Sequence, residues 1–450
     1  MTEAIEFLGA RGERSRLFPV LADSSKEGRT HSIVLACLEQ IPELSGALLG
    51  SVGRRVGTQS KVQTYTEVAF PKRAEKGSRP DGLILLDTGR SRWTAFIEAK
   101  VGAAQLDQGQ VEEYLKLAKD VGVDAVITFS NQFAPLPEHH PLQVDKRLLK
   151  KVELFHFSWY AVLTMANLLR IGDEVKSEVH KYMLRELERF LLHPSAGLRR
   201  FDQMCAEWTV VIDRQRAGSK LSKTSEEVQK VVADWHAELR DLCLLLSRRT
   251  GEPVALRLPA KHRVDPRLRL ADDSETLAKS GLLQGCLQVP RLEGDIEVEA
   301  DLTSRTTRLS MRFKAPGDKA QQKSRLNWLL KQLKDQSGDD IQIITHWPGK
   351  ASATISTLAE ARENPELHSH PNRTLLPSAF TVMQLMSDGR RFAGRRTFIE
   401  TLETLVSEFY ASVAEVVTPW REPAPRMRAA VEESRSDADD DHLKDAEQAG

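Results

Sequence analysis

Two acids and a lysine lie close together in a stretch of the chain that is otherwise apolar. Asp81 comes directly before the apolar run 82–86, and Glu98 and Lys100 follow the apolar run 93–97. A polar, glycine-containing segment joins the two runs, so they are predicted to form an antiparallel hairpin. Asp81 then lies at the same end of the hairpin as Glu98 and Lys100, and the latter two project from one face because side chains alternate along a strand.

This arrangement suits a hard divalent cation. Two carboxylates and a lysine at the edge of an apolar sheet are costly to bury without a compensating charge. Mg²⁺ accepts one or two carboxylates together with water and phosphate oxygens, so Asp81 and Glu98 are candidate ligands, with the carbonyl of Ala99 as a further one. Lys100 would then orient or deprotonate the attacking water, or stabilise charge on phosphorus. The alternative interpretation is a surface hairpin whose Glu98 and Lys100 are merely solvated.

The segment after the hairpin predicts a helix that carries two further polar groups. Apolar residues recur at helical spacing over 104–121, and Gly122 ends the pattern. Gln110 and Tyr114 are one helical turn apart and therefore share a face. If this helix packs against the hairpin, the amide and the phenol can hold a phosphate or a base beside the cation. Tyr114 as part of the packed core is the alternative.

Further apolar runs supply the strands that must position these residues. Residues 62–70 predict a strand before the hairpin, and residues 124–129 and 152–157 predict two buried strands after the helix. A helix is expected over 32–49. The order of helix, three strands, helix and two strands indicates an α/β domain over residues 1–165.

These motifs resemble those of the PD-(D/E)XK nuclease superfamily, which has the restriction-endonuclease-like fold. Pro-Asp at 80–81 and Glu-Ala-Lys at 98–100 match its central motif, and Gln-Val-Glu-Glu-Tyr at 110–114 matches the Q-x-x-x-Y signature of its RecB-like branch. The resemblance covers residues 1–165. It implies a mixed sheet flanked by helices and a metal-dependent phosphodiesterase that acts on DNA, in which the two acids bind the metal and the lysine is catalytic.

One more acidic ligand is expected in the first helix, because many members of this superfamily carry one there. Glu27 resembles that residue, and Glu39 and Glu43 are alternatives farther along the helix. A favourable interaction with the helix dipole would also explain an acid at Glu27. The expected ligand set is therefore Asp81, Glu98 and Glu27, with Mg²⁺ as the cation and Mn²⁺ as its substitute.

The charge balance limits how the chain can bind nucleic acid. The 450 residues include 64 basic and 64 acidic side chains, so contacts with DNA must come from local patches. One patch precedes Asp81 and contains Arg79, the expected phosphate contact. Its other members are Lys72, Arg73 and Lys76. Arg54 and Arg55 form a second patch, and a solvated surface is the alternative for both.

The composition does not favour several other classes of protein. The four cysteines are far apart in sequence, which argues against a zinc site or a disulfide scaffold. No window approaches the ~18 uninterrupted apolar residues of a membrane span, and no N-terminal signal is recognisable. A cytoplasmic protein without a membrane segment is therefore expected. The histidines at 139–140, 368 and 370 are interpreted as surface residues of proline-containing loops.

The remainder of the chain predicts additional structure. Residues 166–251 are amphipathic and are expected to form a helical connector or arm. Residues 252–420 predict a smaller α+β domain with C-terminal helices, including one over 378–386, and the apolar stripe over 390–417 could also bind a protein partner or a second copy of the chain. Residues 421–450 predict a disordered acidic tail.

The sequence therefore favours a Mg²⁺-dependent DNA nuclease, with RNA left open as a substrate, in a defence or repair system. The alternative is a catalytically inactive nucleic-acid-binding or interaction protein that retains the nuclease fold. A structural scaffold whose hairpin acids form ordinary surface pairs is a third possibility.

Overall fold

The computed structural model describes residues 2–18, 25–70, 79–337, 340–387, 389–418 and 420. Three members of the first basic patch, Lys72, Arg73 and Lys76, lie outside these ranges, as does the expected acidic tail. Within the described ranges the chain is a mixed α/β protein with two seven-stranded sheets, each flanked by helices.

The first sheet is mixed and follows the order of the chain. Its strands are β1 Thr2–Ile5, β2 Ala10–Arg14, β3 Lys61–Ala69, β4 Gly82–Asp87, β5 Arg92–Ala99, β6 Ala125–Ser130 and β7 Glu153–Ser158. Neighbours are antiparallel from β1 to β5 and parallel from β5 to β7. The predicted hairpin is β4–β5. Neither β1 nor β2 was predicted, because Ala-Arg-Gly-Glu-Arg in β2 lacks the apolar alternation of a strand.

Helices cover both faces of this sheet. They are α1 Lys26–Gln40, α2 Pro42–Ser51, α3 Gln108–Val121, α4 Trp159–Ile171 and α5 Glu178–Leu192. Helices α1, α2, α4 and α5 share one core with the sheet, and α3 packs in a second core on the opposite face. Strands β4 to β6 are consequently buried on both sides, as their continuous apolar runs indicated.

The single helix expected over 32–49 is wrong, because the chain forms α1 and α2 with a break at Ile41. Pro42 begins α2, and a proline has no N–H to continue the preceding helix. Proline also restricts the residue before it to extended conformations, which agrees with the extended backbone of Ile41.

The first sheet and its helices form the first body of the protein. A second body has its own sheet and core. Its helices are α6 Glu207–Arg216, α7 Glu226–Thr250, α8 Ala260–Val264, α9 Pro266–Ser280, α10 Gln322–Gln332, α11 Leu358–Glu363, α12 Arg390–Ala393 and α13 Arg395–Phe409. Its strands are β8 Ala255–Leu256, β9 Leu282–Gln288, β10 Ile296–Asp301, β11 Thr306–Lys314, β12 Ile341–His346, β13 Thr354–Thr357 and β14 Ala379–Ser387. They pair antiparallel in the order β13-β12-β14-β11-β10-β9-β8.

The helix expected over 378–386 is also wrong, because this segment is β14. It lies between β11 and β12 inside the second sheet, where Phe380 and Val382 are buried. A short apolar run does not distinguish a buried strand from a buried helix by periodicity alone. Here the segment is a strand because it pairs with β11 and β12, which are distant in sequence.

Residues 166–251, expected to be a connector or arm, are divided between the two bodies. Helices α4 and α5 belong to the core of the first sheet, and α6 and α7 to the core of the second. The two bodies meet where α4 packs against α7. There the Arg248 guanidinium donates a hydrogen bond of 2.8 Å to Thr164 Oγ1 and lies 5.3 Å from the ring centre of Tyr160.

Two of the loop histidines are buried, so their interpretation as surface residues is wrong. His139 is 4% exposed and donates through Nε2 to the carbonyl of Arg263 at 2.7 Å. His368 is 2% exposed and lies between the hydroxyls of Thr345 and Ser356. Because these partners are distant in sequence or on other elements, local composition did not reveal them.

The four cysteines are all free. Among the described residues, no single helix is long and apolar enough to cross a membrane. Helices α1 and α2 meet the length and composition criteria only as a pair bent by 105°.

Candidate active site

The β4–β5 hairpin brings Asp81, Glu98 and Lys100 to one end of the first sheet. Gly82 pairs with Ile97 in the antiparallel register, which places Asp81 opposite Glu98. Asp81 Oδ2 accepts a hydrogen bond of 2.9 Å from the backbone N–H of Ala99. The ammonium of Lys100 donates to Glu98 Oε1 at 2.5 Å. The three side chains therefore lie together at one end of the β4–β5 hairpin.

Glu98 is the most deeply buried of the three, with 1% of its surface exposed. One carboxylate oxygen accepts from Lys100, and Oε2 is buried without a hydrogen-bond partner. The pKa of Glu98 is raised to about 7, because burial and the charge of Asp81 outweigh the opposing effect of Lys100. An unpaired buried carboxylate oxygen is what a metal-binding acid presents when no cation is bound, so Glu98 fits the predicted ligand role.

Lys100 is held rigidly between two acids. Its backbone N–H donates to Phe129 at 2.8 Å, and its carbonyl accepts from the indole of Trp159 at 2.8 Å. The ammonium lies 3.5 Å from Glu27 Oε1 as well as against Glu98. Burial lowers the pKa of Lys100, but the hydrogen bond and charge of Glu98 and the charge of Glu27 outweigh it, so the pKa is raised overall. A lysine with a raised pKa stays protonated at neutral pH and suits charge stabilisation better than proton abstraction.

The structure distinguishes the three candidates for the additional acid. Glu27 lies in the first turn of α1 and contacts Lys100. Glu39 instead pairs with Arg14 and accepts from the backbone N–H of Thr64 at 2.8 Å. Glu43 pairs with a histidine of α5 at 2.9 Å. Of the three, only Glu27 is at the hairpin end, and its partner there is the lysine.

Tyr114 contributes both to the core and to the site. Its ring is 2% exposed and packs in the core between α3 and the sheet, so the expectation that it lies outside the packed core is wrong. Its hydroxyl donates to the carbonyl of Arg79 at 3.0 Å and accepts from Gln110 Nε2 at 2.9 Å. Burial raises the pKa of Tyr114, and the negative charge of Glu98 raises it further, which indicates that the phenol faces the acids.

Helix α3 begins where it can present this pair. Asp107 caps the helix by accepting from the backbone N–H of Gln110 at 2.8 Å. Gln110 and Tyr114 then share the first turns of α3, and the Tyr114 hydroxyl, which accepts from Gln110, donates to the backbone carbonyl of Arg79 before Asp81. These contacts order the approach to the hairpin end.

The two basic groups predicted to contact phosphate have other partners. The exposed guanidinium of Arg79 pairs with Glu67 Oε2 at 2.8 Å. Arg54 pairs with Glu153 and lies 5.4 Å from the ring centre of Trp93. Arg55 is exposed. A phosphate contact by either Arg79 or Arg54 would require it to exchange its present partner.

A threonine and two histidines beside Glu98 were not predicted. Thr128 of β6 pairs in parallel register with Glu98. Its hydroxyl contacts His140 Nε2 at 2.9 Å and His156 Nδ1 at 2.8 Å. Burial lowers the pKa of His140 to about 3 and that of His156 to about 4, so both rings are neutral at physiological pH. The sequence gives no signal for this cluster, because three separate segments supply it.

The acids at the hairpin end do not form a closed cage. Among the described residues, the three acids whose carboxylate oxygens all lie within 4.8 Å of one another are Glu238, Asp241 and Glu403, in the second body. At the hairpin end Lys100 lies between Glu98 and Glu27. A cation there would use Asp81 and Glu98 and leave positions open for water and phosphate, which is the usual coordination of Mg²⁺ in phosphoryl-transfer sites.

No family model, curated protein or solved structure matches the chain. The functional proposal therefore depends on the geometry of this site together with the motif resemblance.

Proposed function

We propose that the chain is a Mg²⁺-dependent nuclease that hydrolyses the phosphodiester bonds of DNA, and that its first body has the restriction-endonuclease-like fold. The observation that carries this proposal is the environment of Glu98. Its carboxylate is buried opposite Asp81, with Lys100 on one oxygen and no partner on the other. A buried acid with an unused oxygen is costly unless a ligand uses it.

Each side chain then has a distinct role. Asp81 and Glu98 would hold the metal ion, which when bound supplies a Lewis acid and a more acidic water. The Lys100 ammonium, held by Glu98 and Glu27, orients the attacking water and stabilises the charge that develops on the phosphoryl oxygens. Tyr114 and Gln110 position the backbone before Asp81 and present polar groups to the nucleic acid.

The architecture supports the same proposal. The mixed first sheet carries helices on both faces, as the resemblance implies, and α3 with its Gln-x-x-x-Tyr pair packs directly over the hairpin. Active sites at the ends of sheet strands are common, because the strands are rigid and their side chains project in fixed directions.

A digestion panel tests the proposal. The purified chain is incubated with linear and circular duplex DNA, single-stranded DNA and RNA, with Mg²⁺, with Mn²⁺ or with EDTA. We expect cleavage of DNA with either cation and none with EDTA. Glu98→Gln should abolish cleavage, and Glu178→Gln, which changes an exposed acid of α5, should leave it unchanged.

The panel also identifies the alternative. A folded chain that binds DNA in a mobility-shift assay but cleaves no substrate with either cation would overturn the nuclease proposal. That result would instead support a nucleic-acid-binding protein that retains the fold without the chemistry.

A further inference from the structure

A second group of acids lies in the second body, where α7 meets α13. Glu238 and Asp241 lie on α7, and Glu403 lies on α13. Each supplies a carboxylate oxygen, and the three oxygens all lie within 4.8 Å of one another. Glu238 and Asp241 are three residues apart on one helix and therefore share a face. Three carboxylates from two helices thus converge inside the protein.

Three of the six carboxylate oxygens in this group are buried without a hydrogen-bond partner. Glu238 is 0% exposed and Asp241 is 1% exposed. Both oxygens of Glu238 and Oδ1 of Asp241 are buried without a hydrogen bond. An unsatisfied buried oxygen of a charged group is among the most costly features of a fold, so these oxygens are available to a ligand.

Two neighbouring arginines partly neutralise the cluster but donate no hydrogen bond to these three oxygens. Arg200 contacts Glu403 Oε1 at 2.5 Å and Asp241 Oδ2 at 3.6 Å. It therefore uses one oxygen of each of those two acids, and no ion pair joins it to Glu238 among the described residues. Arg248 donates a hydrogen bond to Thr164 of the first body, and its charge also acts on Asp241 and Glu403. Both oxygens of Glu238 and Oδ1 of Asp241 remain without a hydrogen bond.

The electrostatics of the cluster favour an added positive charge, which is either a proton or a cation. Burial raises the pKa of Glu238 well above its ordinary value, and the charges of Asp241 and Glu403 raise it further, against the opposing charge of Arg200. Burial also raises the pKa of Glu403 to about 7. All three acids ionise together only when a cation lies among them; otherwise one or more must hold a proton.

The dimensions and the access route suit a cation. Ca²⁺ binds oxygens at about 2.3–2.6 Å, so ligands on opposite sides of the ion are about 4.6–5.2 Å apart. The three oxygens all lie within 4.8 Å of one another, so none is too far from the others to share one such ion. Glu403 also lines an open surface depression of about 380 Å³ between α7 and α13, together with Arg249 and Ser407, so this acid of the cluster is reached from solvent.

We propose that Glu238, Asp241 and Glu403 bind a hard divalent cation of the Ca²⁺ or Mn²⁺ type. The ion uses the free oxygens of Glu238 and Asp241 and completes its shell with Glu403 and water. It joins α7 to α13 and has a structural role, because it lies in a different body from the Asp81–Glu98 site. This inference does not depend on the proposed nuclease activity.

The test measures Mn²⁺ binding in a chain whose first site has been removed. Equilibrium dialysis and electron paramagnetic resonance are applied to the full chain carrying Glu98→Gln. We expect one bound Mn²⁺, which Ca²⁺ displaces, and a rise in the melting temperature when Ca²⁺ replaces EDTA. Adding Glu238→Gln should weaken binding at least tenfold and abolish that rise. Glu226→Gln, an exposed acid on the same helix, is the matched control and should change neither.

Three outcomes would overturn the proposal. One is a folded Glu98→Gln chain that binds no Mn²⁺, and another is Mn²⁺ binding that survives Glu238→Gln. The third is a chain stabilised by acidic pH and unaffected by Ca²⁺, which would identify a shared proton as the occupant. If Glu238→Gln does not fold, Glu403→Gln replaces it, because that side chain lines the surface depression. DNA cleavage is not a readout, so the two proposals can fail separately.

Discussion

Glu98 combines two properties that are rarely compatible in a protein interior. It is almost fully buried, yet one of its carboxylate oxygens has no partner. Burial and the nearby Asp81 raise the pKa of Glu98 to about 7, so near neutral pH a proton competes with a cation for the same oxygens. Binding of a metal to such a site releases a proton and depends on pH.

This coupling predicts how the stability of the metal-free chain changes with pH. An acid whose pKa is raised on folding stabilises the protein while protonated, and that contribution is lost as the pH rises from 4.5 to about 7. In EDTA, the free energy of unfolding of the wild type should therefore fall across this window more steeply than that of Glu98→Gln. The difference between the two chains separates the contribution of Glu98 from the contributions of other acids whose pKa is raised. Parallel curves in urea titrations would show that Glu98 is not protonated on folding.

The phenol of Tyr114 can be separated from its ring by substitution. Tyr114→Phe keeps the packed ring and removes the hydrogen bonds to Arg79 and Gln110, so we expect a loss of about 1 kcal/mol in unfolding free energy and slower cleavage. Tyr114→Ala leaves a cavity and should cost ~3–5 kcal/mol. Urea unfolding alongside cleavage rates measures both effects. Cleavage by Tyr114→Phe at the wild-type rate would restrict this residue to the core.

At the scale of elements, the start of β4 positions Asp81 through close packing. A Cβ atom at Gly82 would lie 2.8 Å from Leu35 Cδ1 and 2.9 Å from the carbonyl of Tyr65. The strand can therefore approach α1 and β3 only if the residue after Asp81 is glycine.

Gly82→Ala should accordingly destabilise the chain by ~1–3 kcal/mol and weaken Mn²⁺ binding, because the strand must move away and carry Asp81 with it. Gly46→Ala is the matched control. Its Cβ would meet open space in α2, and alanine there should stabilise the helix by roughly 0.5–1 kcal/mol. Thermal melts and calorimetry measure the two changes. Equal stability of the two variants would contradict the packing described for β4.

Sequence periodicity was sufficient to predict β4, β5 and α3, which carry most of the candidate site. The alternation of side chains placed Asp81, Glu98 and Lys100 at one hairpin end, and helical spacing placed Gln110 and Tyr114 on one face of α3. Long-range contacts were not predictable in this way. The contact of Glu27 with Lys100 depends on how α1 packs, and the strand β14 depends on partners far away in the chain.

At the scale of the whole molecule, a partly buried hydrogen bond from a charged group is one of the contacts between the two bodies. Arg248 of α7 donates to Thr164 of α4, and its guanidinium lies over Tyr160. Burial lowers the pKa of Arg248, which indicates that the guanidinium is poorly solvated. Its contacts with Thr164 and Tyr160 therefore stabilise the charged group where the two bodies meet.

Thr164→Val should weaken this contact by leaving the arginine without its acceptor. Because hydrogen bonds to charged groups contribute about 1.5–3 kcal/mol, we expect a loss of that size in unfolding free energy. Thr404→Val is the matched control, since its exposed hydroxyl bonds only to its own helix, and it should change stability by less than about 0.5 kcal/mol. If the two variants unfold alike in urea, the Arg248 contact does not hold the bodies together.

The most direct measurement is the rate of Mg²⁺-dependent duplex DNA cleavage by a chain carrying Lys100→Met. The lysine acts on water and phosphate while Asp81 and Glu98 hold the metal, so the variant should retain Mn²⁺ binding in calorimetry and lose about 10²–10³-fold in cleavage rate. Lys119→Met, an exposed lysine of α3, should cleave like the wild type. Unchanged cleavage by Lys100→Met would contradict the nuclease mechanism at this site.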